Sequence, residues 1–356
     1  MNSVYVRCLL NLYTNQKLRV KWNSYTSDMF DAKNGVKQGG ILSPTLFSLY
    51  MDGLINDIQN SGEGCHIGPY FCGVLAYADD ICLISPTIKG LTSMVKIAED
   101  FSQDFKVKFN GAKSQFLIFS AAKNLPSVDI MVEGTIVTSS MSALHLGHKV
   151  FCDPCQDDLD SVIGSFHRQF NLFVSRFANV PPTVKCRLFN TYCTSFYGIQ
   201  LCNLNKVHKL HVAYRKNLRW LLQLPYRTHC QLIPSLADSL CTDHMFIKRF
   251  LKFAAAGLNH SFPVVKFLLR NSLNLVGSLF ATNCRYSKFK CDVHIPGNAQ
   301  EHSHLVRSKC QTECKSDVNS ATAVAIKDLL NCKYSNFECG LSYNEIDELL
   351  NFLCVN

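Results

Sequence analysis

Apolar positions along the chain change their period near Asp157. Before it, alternating stretches and short apolar blocks predict strands and hairpins, with three amphipathic helices between them; after it, repeats at three and four residues predict helices. Residues 3–15 put Val4, Cys8, Leu9 and Leu12 on one helical face. Residues 17–34 alternate as a strand pair, Leu18, Val20 and Trp22, then a turn near Asn23-Ser24, then Met29-Phe30. Gly35 to Gly40 reads as a loop in which Gly39-Gly40, lacking Cβ atoms, lets a backbone approach a ligand. Ser43-Pro44 predicts a helix start, Ser43 as N-cap and Pro44 as first helical residue. Phe47, Tyr50, Leu54 and Ile58 follow at helical spacing to about Gln59, a packing stripe.

The segment from Gly73 to Ile84 encloses Asp79-Asp80 between two apolar runs. It predicts a β-hairpin with both acids at its tip, its arms buried in a sheet and its carboxylates exposed. Lys89 to Phe105 is an amphipathic helix with Leu91, Met94, Val95, Ala98 and Phe101 on its apolar face. Phe116 to Phe119 reads as a strand, and Val128 to Thr138 as a hairpin turning at Glu133-Gly134. After Asp157 the expected helices are Leu159 to Val174, Thr183 to Tyr197 beyond the Pro181-Pro182 break, Lys206 to Leu222, Thr242 to Leu258 and Phe262 to Arg270. Beyond Ser272 only Ala321 to Leu330 and Tyr343 to Leu353 read as helical.

Charge sharpens this division. Residues 1–160 hold 13 Lys/Arg against 16 Asp/Glu, residues 161–300 hold 18 against 3, and residues 301–356 hold 5 against 8. A basic middle segment with interleaved aromatics suits a nucleic-acid backbone, through phosphate neutralisation and counterion release. Its alternative is a merely basic helical surface. Lys209, Arg215, Lys216 and Arg219, on the helix expected from Lys206, are the candidate phosphate ligands. The longest uncharged stretch, Leu188 to Asn205, is interrupted by Asn190, Thr191, Ser195 and Gln200, so no membrane span or membrane partner is expected. The amino terminus lacks a signal-peptide pattern, and the 18 cysteines then read as reduced thiols of an intracellular protein, nuclear or cytoplasmic.

Two adjacent carboxylates repel each other unless a cation lies between them, and hard oxygen donors suit Mg²⁺ or Mn²⁺. Alone, Asp79-Asp80 reads as an exposed turn. In context it is more. "YADD" framed by apolar strands and preceded by "VKQGGILSPTLFSLYMD" resembles the palm of reverse transcriptases, those of non-LTR retrotransposons above all. Asn110-Gly111-Ala112-Lys113-Ser114 resembles the family's "N-x-x-K-S/T" segment, and Leu144-His145-Leu146-Gly147-His148 its "Y-L-G" primer grip, with His145 in the aromatic position. Tyr197 to His229 resembles the helical thumb that follows the palm.

The resemblance runs from about Val4 to Ser261. It implies an α+β fold: a polymerase palm fragment over residues 1–156, a mixed sheet with helices on one face, then an all-helical thumb over 157–270, with no role assigned to 271–356. The implied activity is RNA-templated DNA synthesis by an RNA-directed DNA polymerase, with Mg²⁺ or Mn²⁺ as cofactor and an RNA template, a DNA primer and deoxynucleotides as partners. Asp79 would be the main metal ligand and Asp80 its weaker neighbour. Lys113 would face the leaving pyrophosphate. Gln38, Gly39, Gly40, Tyr77 and Ala78 would line the nucleotide, template and primer-end pocket, and Leu146 and Gly147 would form the primer grip.

Such polymerases use a third carboxylate, on a palm strand that precedes the first helix here, and Asp28 and Asp31 are poor substitutes for it. The expectation is therefore an amino-terminally truncated enzyme, inactive as this chain, or alternatively a retroelement relic acting at most as a basic nucleic-acid-binding module. An in-frame "F-x-x-[AV]-F-D" segment upstream would favour the enzyme. A group II intron maturase or telomerase is a third option. His145-x2-His148-x3-Cys152-x2-Cys155 also has zinc-type spacing, though the hairpin reading accounts for the same stretch. Cys291, His294, Cys310 and Cys314 are no more regular.

Overall fold

The computed structural model describes residues 3–14, 16–32, 35–120, 127–153, 156–237, 239–275, 277–291, 305, 306, 308 and 309. The helices expected at 321–330 and 343–353 fall outside these residues. The chain forms two units, residues 1–116 with 127–139, and residues 117–126 with 140–356.

The first unit mixes helices with short antiparallel hairpins. Helix α1 (Ser3–Tyr13) buries none of its residues. Strands β1 (Gln16–Leu18) and β4 (Phe30–Ala32) pair around an inner ladder of β2 (Lys21–Trp22) and β3 (Tyr25–Thr26), turning at Asn23-Ser24 as the alternation predicts. Helices α2 (Ser43–Asn60) and α3 (Ile88–Phe105) form the core, in which Met51, Leu54 and Ile58 meet Met94, Ala98 and Phe101. Thr87 caps α3 by accepting from the Gly90 N–H at 3.0 Å, and Lys106 leaves the helix with φ 55°.

Between these helices run β5 (His66–Ile67) with β6 (Tyr70–Phe71), and β7 (Val74–Tyr77) with β8 (Asp80–Leu83). A short 3-10 turn at Gly111–Lys113 leads into β9 (Phe116–Leu117), which joins β10 (Asp129–Val132) and β11 (Thr135–Ser140) in the order β10-β11-β9. The expected single mixed sheet is replaced by separate small sheets, and every pairing whose register is described is antiparallel. The reason is length: several of these strands run two to four residues and are closed by two-residue turns, so each ladder ends before a neighbour can extend it.

The second unit opens with the hairpin β12 (Ser142–His145) and β13 (His148–Phe151), followed by helices. These are α4 (Leu159–Arg176), α5 (Pro182–Tyr192), α6 (His208–Leu221), α7 (Leu232–Leu236), α8 (Thr242–Leu258), α9 (Pro263–Asn274) and α10 (Leu279–Cys291). Phe166, Phe189, Tyr214, Phe246 and Phe250 are almost fully buried at its centre, with Phe196 packed against Phe166 and Phe246. Aromatic edges and faces thus dominate this core, whereas Phe101 is the one aromatic among the buried cluster residues of the first unit. No single described helix is long and apolar enough to cross a membrane.

Three expectations are corrected here. Helix α5 ends at Tyr192, five residues early, because Phe196 (φ 40°) and Gly198 (φ 81°) take left-handed conformations and the Thr194 and Ser195 carbonyls accept from Arg249 instead. Helix α9 continues to Asn274. Helix α10 escapes the periodicity argument because its buried face is partly polar: Asn283 accepts from the Leu204 N–H at 3.0 Å and donates to the Cys202 carbonyl at 2.9 Å.

Candidate metal and nucleic-acid sites

The Asp79-Asp80 hairpin has two distinct faces. Opposite residues of an antiparallel pair point the same way, so the register Val74↔Leu83 and Ala76↔Ile81 forms one face, Leu75↔Cys82 and Tyr77↔Asp80 the other. Val74, Ile81 and Leu83 pack on the α2–α3 core, while Leu75 and Tyr77 stay exposed. The arms are thus half-buried rather than enclosed. Ala78 and Asp79 form the turn, Ala78 with φ 51°, and Asp80 is the first residue of β8. Both acids are exposed, as expected. Among the described residues no group of three His, Cys, Asp or Glu side chains converges as a metal site.

Upstream, Lys37 to Gly40 is a tight turn closed by the Gly40 N–H on the Lys37 carbonyl at 3.0 Å, with Gly39 at φ 77°. Gln38 and Gly39 are exposed on it. Ser43 is not the N-cap of α2; Leu42 is, and the buried Ser43 hydroxyl donates to the Lys37 carbonyl at 2.6 Å. The serine therefore fixes the loop rather than the helix. A Cβ at Gly40 would stand 2.6 Å from that hydroxyl, which explains the second glycine by packing. Lys113 ends the 3-10 turn, exposed, its N–H held by the Asn110 side chain at 3.2 Å. Among the described residues no hydrogen bond or ion pair links Asp79 or Asp80 to Lys113 or Gln38.

In the second unit Leu146 (φ 49°) and Gly147 (φ 74°) make the β12–β13 turn, both left-handed as a two-residue type I′ turn demands. Leucine is a costly residue there, and the turn is braced. The Tyr197 hydroxyl donates to the Leu146 carbonyl at 2.7 Å. The buried Asp158 carboxylate accepts from the Lys149 N–H at 2.8 Å and lies 3.4 Å from His148 Nδ1. Gly198 lies under His148, where a Cβ would come 2.8 Å from Nδ1. Arg249, whose guanidinium also covers the Phe196 ring at 5.7 Å, fastens the Thr194–Ser195 backbone from α8. Its pKa is lowered by burial. Sequence reasoning missed Asp158, Tyr197 and Arg249 as partners of this turn; only Gly198, following an aromatic, gave a local sign. His148 of the zinc-type quartet is engaged with Asp158, and Cys155 lies outside the described residues.

The four basic residues of α6 differ in their engagement. Lys209 and Lys216 are exposed, Lys209 3.8 Å from Asp160, and Arg215 is half-buried. Arg219 gives Nε and Nη2 to the Thr228 carbonyl at 3.2 and 2.7 Å, so it closes the loop after the helix. Exposed Val212 and Trp220 lie on the same side of α6 as Lys209 and Lys216.

Residues 2–150 match the reverse transcriptase (RNA-dependent DNA polymerase) family. The chain is 32% identical over 109 residues to the retrovirus-related Pol polyprotein from the type-2 retrotransposable element R2DM of Drosophila melanogaster, covering 31% of this chain and 10% of that protein. It is 24% identical over 137 residues to the corresponding polyprotein from the type-1 retrotransposable element R2 of Nasonia vitripennis, covering 38% of this chain and 13% of the relative. The matched part is thus a small fraction of either relative's length. With both signature segments inside the matched range, residues 2–150 belong to a reverse transcriptase domain of the non-LTR retrotransposon kind.

Proposed function

We propose that this chain contributes to the polymerase centre of a reverse transcriptase that copies RNA into DNA, the first 156 residues acting as palm and residues 157–270 as thumb. The observation that carries it is the hairpin presenting Asp79 in its turn and Asp80 beside it, both open to solvent, on an α2–α3 core. The donor set fits a divalent ion in part: two hard carboxylate oxygens that can hold one Mg²⁺ or Mn²⁺, with water completing the shell. When bound, such an ion neutralises phosphate charge and activates the primer hydroxyl. Holding two ions in register needs a further carboxylate from a neighbouring strand. The Gln38–Gly40 turn offers an exposed backbone to the nucleotide or template, Tyr77 and Ala78 border the primer end, and Lys113 offers a cation to the pyrophosphate. Leu146 and Gly147 position the primer backbone.

Two measurements test this. Mn²⁺ titration followed by paramagnetic broadening should show one weak site that Asp79→Asn weakens by at least about tenfold, since loss of even an outer-shell partner costs that much. Unchanged Mn²⁺ affinity in that variant would count against the metal-binding role. Primer extension on an RNA template, with a palm strand bearing a further acid joined to the chain, is expected and should be abolished by Asp79→Ala; extension that persists in that variant would count against the role of Asp79. The second reading, a binding module without turnover, draws on the basic segment and shares the expected hybrid binding. It is separated by joining to the chain an upstream palm strand bearing an acid, which restores extension only if the polymerase reading holds.

A further inference from the structure

Beside the braced turn the second unit contains a cavity of about 150 Å³, bordered by Gly147, Ser161, Ser165, Arg168, Gln169 and Tyr197. Its floor is apolar, Val162 and Phe166, and its rim carries hydroxyl, amide and guanidinium groups. Ser161, Ser165 and Arg168 stand at successive turns of α4, on one face. Glycine at position 164 leaves room for the arginine to lie back along its own helix: Nη1 is 3.5 Å from where a Cβ would be. Asp158 also borders the recess, its carboxylate turned to the Lys149 N–H at 2.8 Å and to His148 Nδ1 at 3.4 Å. Ser195 donates to Gln169 Oε1 at 3.3 Å, which leaves the Gln169 amide NH₂ as a donor.

Several other cations of this unit have partners, and Arg168 is distinguished from the rest by bordering the recess. Arg219 and Arg249 hold backbone carbonyls, Lys185 donates to the Ala178 carbonyl at 2.7 Å, and Lys209 faces Asp160. Arg168 has no ion-pair or hydrogen-bond partner among the described residues. A guanidinium, two hydroxyls and an amide NH₂ around a small recess match the oxygens of one tetrahedral phosphate. The recess is preformed, because Tyr197, Arg249 and Asp158 fix three of its borders.

We propose that this cavity seats one phosphodiester of a bound nucleic-acid strand, with Arg168 as its ionic ligand. The inference rests on the nucleic-acid-binding reading of the basic segment and names a site outside α6. The test uses the full chain and a fluorescein-labelled RNA–DNA hybrid, followed by anisotropy over a salt titration. Arg168→Ala should weaken binding about fivefold near about 0.1 M salt and make the slope of log K against log salt shallower by about 0.7 to 0.9, the loss of one phosphate contact. Arg168→Lys should recover the slope, and Ser165→Asp, which puts a negative charge in the recess, should weaken binding as Arg168→Ala does.

A scan of hybrids with single neutral methylphosphonates adds the positional readout: one position should weaken the parent chain and leave Arg168→Ala unaffected. Parent-like affinity and slope in Arg168→Ala would overturn the site, whatever the Mn²⁺ titration says of Asp79. So would inorganic phosphate binding that depends on Arg168 while hybrid binding does not, an outcome that assigns the recess to a small anion.

Discussion

Gly198 is constrained both by its backbone conformation and by its neighbour. Its φ of 81° disfavours any L side chain, and an added methyl would collide with the His148 ring. Gly198→Ala should destabilise the unit by about 1–3 kcal/mol, measured by urea unfolding. His211 gives a pH dependence. Burial lowers its pKa below the ordinary 6.5, against the opposing pull of Asp243 and with help from Arg215, His208 and Lys290. The unfolded chain therefore takes up the proton first, so this histidine's share of stability is whole above about pH 6.5 and falls away below it. The thermal midpoint should drop between about pH 7 and pH 5, more steeply than in His211→Asn. Features set by immediate neighbours in the chain were legible: the bend that leaves Asp79 and Asp80 exposed and the turn at Gly39-Gly40. Arg249 was not, because its partners lie more than fifty positions away and nothing in the sequence around it marks a carbonyl to be held.

At the level of elements, apolar stripes were reliable where the buried face is apolar. Helices α2, α3 and α8 were all placed from periodicity, and the interlocking of α2 and α3 gives a direct test. Leu54 is fully buried between them, so Leu54→Ala should cost about 2–5 kcal/mol, read from the unfolding of the first unit. Tyr50→Ala, on the rim of the same helix, exposes less and should cost less. Periodicity failed for α10, whose inward face carries Asn283 and Ser287, and for the end of α5, where tertiary hydrogen bonds to Thr194 and Ser195 outweigh local helix propensity. Hairpins were legible as turns and misjudged as sheets. Two-residue turns are local, whereas joining of ladders depends on what lies beside them, and the exposed Leu75 and Tyr77 show an apolar strand face that no described residue covers.

Over the whole molecule, charge is distributed by segment, with the excess of Lys and Arg confined to residues 161–300. Binding of the full chain to RNA–DNA hybrid should therefore be weak, sequence-tolerant and steeply salt-dependent; an affinity flat across the titration would rule out the electrostatic account. The division into units adds something the period change near Asp157 did not show: the Ser142–Phe151 hairpin groups with the helices that follow it. Tyr197 and Gly198 reach its turn across some fifty positions of chain, and Asp158 across nine. The hairpin and its braces keep their fit only when they are exchanged together. A chimaera with a related element joined at residue 139 keeps every brace, while one joined at 156 separates the turn from all three. Of two such chimaeras made from the same pair of parents, the second should melt lower, and the difference should shrink when the donor's own residues at the positions of Asp158, Tyr197 and Gly198 are supplied with its hairpin.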